Sequence, residues 1–88
     1  MLQILTEGKF EKDIKKAQKR GKDMSKLQAI IALLVMSKLL PKKNKNHKLQ
    51  GVFREYWECH IEPDWLLIYK KTEKAIVLSR IGSHADLF

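Results

Sequence analysis

Three histidines, His47, His60 and His84, share the second half of the chain with Asp64, Arg80 and Phe88. His60 and Asp64 stand on either side of a proline in HIEPDW, directly before the apolar run LLIY, which needs neither of them. All three histidines fall at strand ends or in connecting segments, where polar groups are disproportionately functional. Histidine and carboxylate can be tuned towards neutrality and exchange protons. Arginine offers a fork of donors to a phosphate that is gaining negative charge. Together they suit metal-free RNA scission. A base takes the proton of the ribose 2′-hydroxyl, its oxygen attacks the adjacent phosphorus, and an acid protonates the departing 5′-oxygen. Trp65 and Phe88 are candidate rings for stacking an unpaired base. Each residue also has a structural explanation: His47 as a solvated loop residue, Glu62 and Asp64 as supports of the Pro63 turn, Ser83 as a helix cap.

A metal centre is the competing chemistry, and linear spacing argues against it. The sequence has no HExxH, no paired CxxC and no short His-x-His, and the nearest grouping is His84-x-Asp86. No metal ligand and no cofactor is therefore assigned. P-loop, GxGxxG and nucleophile-elbow patterns are absent too, which removes kinases, dehydrogenases and ordinary esterases.

The scaffold that must position these groups is small, because 88 residues accommodate one domain (1–88) with a modest core. The net charge of +8 is lopsided: residues 1–48 hold 13 Lys/Arg against 4 Asp/Glu, and the remainder is close to neutral. Such a field attracts polyanions, phosphate backbones foremost, although a lysine-rich solvated surface is the plain alternative. Lys43, Lys45, Lys48 and Arg54 are the candidate RNA-backbone contacts, with Trp57 beside Trp65 as an aromatic surface. A lone Cys59 agrees with a reducing compartment. No secretory leader and no apolar run of about 20 residues is recognisable, so a cytoplasmic protein is expected.

Hydrophobic spacing gives the order β-α-α-β-β-β with a short helical tail, an α+β layout with both helices on one face of an antiparallel sheet. Leu2, Ile4 and Leu5 suggest a first strand, and Thr6 a cap for the first helix, whose Phe10, Ile14 and Ala17 share a face. Gly21 ends that helix and Asp23 caps the next. The second helix is expected to run through Leu39 and to stop at Pro41. Residues 41–48, PKKNKNHK, read as an exposed basic loop. Strands follow at Val52 to Ile61, Trp65 to Lys70 and Ala75 to Ile81.

The segments NHKLQG, ECHIEPDWLLIYK and RIGSHADLF, with AQKRGKDMSKL upstream, resemble the YafQ branch of the RelE/ParE toxin superfamily, and the likeness covers nearly the whole chain. It implies a RelE-like fold and a ribosome-dependent mRNA endonuclease. It further implies a DinJ-like antitoxin as partner, and operator DNA bound only by the toxin–antitoxin pair. By the same resemblance His47, His60, Asp64, Arg80, His84 and Phe88 match the catalytic motif. His84 is then expected as general acid or base, Asp64 as its counterpart, His47 and His60 as positioning or proton-transfer groups, and Arg80 on the scissile phosphate. Trp57 departs from the pattern, standing where relatives often carry a basic residue, and Asn46 replaces the usual aspartate. A gyrase poison of the ParE kind, or a non-catalytic basic module that binds antitoxin and nucleic acid, are the rival functions.

Overall fold

In the computed structural model, which describes residues 1–88, the chain forms β1 (Gln3–Thr6), α1 (Phe10–Lys19), α2 (Met24–Val35), β2 (His47–Lys48), β3 (Trp57–Glu62), β4 (Trp65–Lys71), β5 (Ala75–Gly82) and α3 (His84–Leu87). One five-stranded sheet runs in the order β1-β5-β4-β3-β2, antiparallel except for the parallel pair β1 and β5. The expected α+β order holds, with a two-residue β2 added inside the basic loop.

Alternation along the strands decides what each face does. Cys59 and Ile61, with Trp65, Leu67 and Tyr69, point to the helices and join Phe10, Ala17, Leu27, Ile30 and Leu34 in a single apolar cluster. Their strand neighbours Glu58, His60, Leu66 and Ile68 therefore point to the opposite face. In β5 the register slips by one residue between the pairs Tyr69 with Leu78 and Ile68 with Arg80, leaving Ser79 as an extra residue. That bulge reverses the phase: Leu78 and Ile81 both face the core, and Arg80 turns away from it.

Three boundaries differ from expectation. The strand expected from Val52 starts only at Trp57, because Gly51–Phe53 closes a 3-10 turn, with Arg54 N–H donating to Gly51 O and Tyr56 N–H to Phe53 O. Thr6 closes β1 opposite Leu78 rather than capping α1, which starts at Phe10 with no side-chain cap on Lys9. And α2 ends at Val35, well before Pro41. Ser37 takes the left-handed conformation at φ 56°, with Ser37 N–H donating to Leu34 O and Lys38 N–H to Leu33 O. This is a Schellman closure, and it leaves Leu39 exposed instead of in the core stripe. Gly21, at φ 75°, and Asp23, whose carboxylate accepts from Ser25 N–H, behave as expected.

Candidate active site

The hairpin between β3 and β4 is closed by Pro63 and Asp64 alone, so Asp64 sits at its tip. The first turn of α3 lies beside it. Asp64 Oδ1 accepts both the backbone N–H of His84, at 2.9 Å, and its ring Nδ1–H, at 2.6 Å. These bonds, the backbone one foremost, hold the Asp64 carboxyl below the usual carboxylate range. An Nδ1–H committed to Asp64 leaves Nε2 of His84 free to exchange a proton.

α3 is only one turn long and depends on its anchors. Ser83 and Asp86 form a capping box, and Asp86 also receives Arg20 at 2.7 Å and Lys16 at 2.9 Å from α1. Arg20 first, then the Ser83 backbone N–H, drive the Asp86 carboxyl far below its ordinary range. Gly82 is required here, because a Cβ at this position would lie 2.9 Å from Asp86 Cβ. Asp86 is thus tied to α1, and the His84-x-Asp86 grouping serves α3 rather than a ligand.

His60 lies on β3 with its ring 5.8 Å from that of His84, edge to face. Its Nε2 stands 3.6 Å from Glu58 Oε1, and His47 Nε2 stands 3.6 Å from the same oxygen. His47 is paired with Glu58 in the β2–β3 register, and its Nδ1–H donates to Lys45 O at 2.8 Å. The loop before it is not merely solvated. Buried Asn44 donates to His60 O at 2.7 Å, and Asn46 accepts from Tyr69.

Glu58 escapes the reading by motif, yet the signal is present. Residues two apart in a strand share a face, so Glu58-Cys59-His60 places a carboxylate beside the histidine.

Glu58, His60 and His84 bring their donor atoms within 4.8 Å of one another, a grouping that linear spacing hides. Two imidazoles and one carboxylate suit a zinc or copper ion.

Arg80 stands two strands from Glu58 in the same row of the sheet, with Ile68 of β4 between them. Its Nε and Nη2 donate to Asp13 at 2.6 and 3.1 Å, and Asp13 also accepts Ile81 N–H. The pairing of β1 stops at Leu78, and Asp13 of α1 takes over the edge beyond it. Arg80 and Phe88 share a cavity on this side of the sheet.

Of the remaining candidates, Lys43 and Lys45 line a groove that reaches His60, while Lys48 and Arg54 are exposed. Trp57 faces the helix side and packs half-buried against the core. Trp65 is fully buried as the first core-facing residue of β4, with Lys22 Nζ 5.6 Å from the centre of its ring, so it cannot stack a base. Glu62 does not serve the turn. It binds Lys22 and Lys26 and ties the hairpin to the helices.

A family model described as "Bacterial toxin of type II toxin-antitoxin system, YafQ" matches residues 2–88. The chain belongs to the YafQ family. The mRNA interferase toxin YafQ of Escherichia coli K12 is 50% identical over 82 residues, 92% of this chain and 89% of the relative. The YafQ-family fold superposes on the E. coli DinJ–YafQ toxin–antitoxin complex with a TM-score of 0.91 at 46% identity, covering 99% of this chain and 97% of that one. A metal-bound toxin from Helicobacter pylori gives a TM-score of 0.94 at 40% identity, with both chains wholly covered. The YafQ likeness read from HIEPDW and GSHADLF thus extends to the whole chain.

Proposed function

We propose that this toxin is a ribosome-dependent endoribonuclease that cuts mRNA by general acid–base catalysis and so inhibits translation. The observation that carries it is the meeting of two carboxylate–imidazole pairs: Glu58 with His60, and Asp64 with His84, their rings 5.8 Å apart.

Asp64 works as an orienting acceptor for His84 rather than as its proton-transfer counterpart. His84 Nε2 protonates the leaving 5′-oxygen, and His60, backed by Glu58, takes the 2′-hydroxyl proton. His47 shares Glu58 and stands near the same phosphate. Arg80, held by Asp13, meets the charge on the non-bridging oxygens. The ribose supplies the nucleophile, so no metal-activated water is needed. Lys43, Lys45, Lys48 and Arg54 attract the RNA backbone.

A DinJ-like antitoxin is the partner, and operator DNA is bound only by the complex. No helix is long and apolar enough to cross a membrane. Action on translated message places the protein in the cytoplasm.

The test is end-mapping of a defined mRNA incubated with purified protein, with and without translating ribosomes. The expected result is cutting of translated message alone, leaving 5′-hydroxyl ends, surviving a chelator and lost by at least a hundredfold in His84→Ala, roughly the weight of a positioned proton-transfer group. Cutting of naked RNA would keep the chemistry and make the ribosome optional. Absence of cutting in both conditions would return the gyrase-poison or binding-module reading.

A further inference from the structure

On the open face of the sheet, beside Arg80, lies a cavity of about 420 Å³, bordered by Glu7, Lys9, Phe53, Tyr56, Arg80 and Phe88, with Ile68 of β4 at its floor between Glu58 and Arg80. Its size falls in the range of about 300–1,000 Å³ found for small-ligand clefts. Phe53 and Phe88, 50% and 61% exposed, are the two aromatic rings among the exposed large apolar side chains, and both stand at this cavity. Two exposed rings lining one cavity beside an arginine offer apolar surface that a flat partner can cover. Stacking on such rings is how unpaired bases are held.

Glu7 makes the cavity selective. It is a carboxylate at the rim of a strongly basic molecule, and no lysine or arginine pairs with it. Its only protein partners are the hydroxyls of Tyr56, at 3.2 Å, and Ser79, and both donate to Oε1. Oε2 accepts no hydrogen bond from the protein and is left to a ligand. A bare carboxylate oxygen repels a phosphate and, more weakly, a base carbonyl, so uracil, whose one ring N–H donor lies between two carbonyls and which has no amino group, fits it worst. It welcomes an amino group. The Ser79 bulge, which turns Arg80 outward, also delivers the hydroxyl that fixes Glu7.

We propose that this cavity is a nucleobase subsite, in which Phe53 and Phe88 stack the base next to the scissile phosphate and Glu7 Oε2 accepts its exocyclic amino group. The subsite therefore favours adenine, cytosine or guanine over uracil. This rests on the nuclease reading of the histidine cluster. Glu7 and Phe53 are specificity residues and touch no reacting atom.

The experiment compares kcat/KM on ribosome-loaded reporter mRNAs that differ only in the base flanking the cut, for the wild-type protein, Glu7→Gln and Phe53→Ala. Glutamine keeps a carbonyl oxygen for Tyr56 and Ser79 but puts an amide N–H₂ where Oε2 stood. The expected result is a preference of at least about tenfold against uracil in the wild type, reduced about tenfold or reversed in Glu7→Gln. Phe53→Ala, at a half-exposed site, should raise KM about tenfold for all bases alike with kcat little changed. Cutting that continues with the same base preference in Glu7→Gln, or with unchanged KM in Phe53→Ala, would overturn the subsite and leave the nuclease standing. Unaltered cutting with weakened antitoxin binding in Phe53→Ala would assign the cavity to protein docking and equally overturn it. A wild-type protein that cuts none of the reporters would remove the nuclease reading and the subsite together.

Discussion

The two histidine–carboxylate pairs are built by different means. Glu58 and His60 lie two apart on β3, with side chains 9% and 15% exposed; the ladder to β4 fixes both, while β2 holds Glu58 and Asn44 holds the His60 carbonyl on the other side. Asp64 and His84 come from a hairpin tip and a one-turn helix, with side chains 68% and 55% exposed. Their shorter contact is set by a cap and a salt-bridge clamp, not by a ladder. In the proposed mechanism the proton-accepting pair is thus rigid, while the proton-donating pair stays where a long substrate can reach it. Exposed ion pairs contribute little to stability, so the worth of the Asp64 pair lies in orientation.

The comparison is sharpened most by Glu58→Gln, which should lower the cleavage rate about a hundredfold, because it strips the charge that faces both His47 and His60. Single-turnover cleavage measures it, and a change under threefold would move the base elsewhere. Asp64→Asn should cost about tenfold, since the short charge-assisted bond to Nδ1–H is weakened but the backbone N–H of His84 keeps an acceptor. Asp64 already lies below the ordinary carboxylate range. Any acid limb of the pH–rate profile above about pH 4 therefore belongs to another group, and it should survive unshifted in Asp64→Asn while the plateau falls.

Asp86→Asn should have the smallest catalytic effect, about twofold, and a clear thermal one. Because the folded carboxyl is depressed, its contribution is fully present above the ordinary aspartate value of about 4 and is lost as pH falls towards the folded one. At pH 7 the variant should melt roughly 5 °C lower. Between about pH 5 and pH 2 the gap should narrow steadily, since asparagine does not titrate; differential scanning across that range reads it, and a constant gap would mean the clamp is not ionic.

The residues of the site were largely legible because strand ends and turns are local features: HIEPDW announces a hairpin, and SHAD a capped turn. What pairs them was not legible. Asp13 reaches Arg80 across 67 positions, and Asp86 reaches Arg20 across 66, distances over which no motif operates. Trp65 misled because an aromatic at a turn looks like a stacking surface until alternation assigns its face, and Phe53 and Tyr56 because their apolar alternation reads as strand although they lie in the connecting segment before β3. Glu58 was readable from period two alone. The early end of α2 was not, since a serine in the left-handed conformation is uncommon, and Pro41 offered the more familiar stop.

The parallel pairing of β1 with β5 sets the timing of activity. β1 has no strand neighbour other than β5, and Gln3 lies opposite Ala75. The sheet cannot close until the last of its strands has been made, and closing so long a loop is a late step in folding. Arg80, His84 and Phe88 belong to β5 or follow it. Under the proposed chemistry a half-made chain carries the basic surface without Arg80, His84 and Phe88, and its hazard to the machinery synthesising it begins only when synthesis is nearly over.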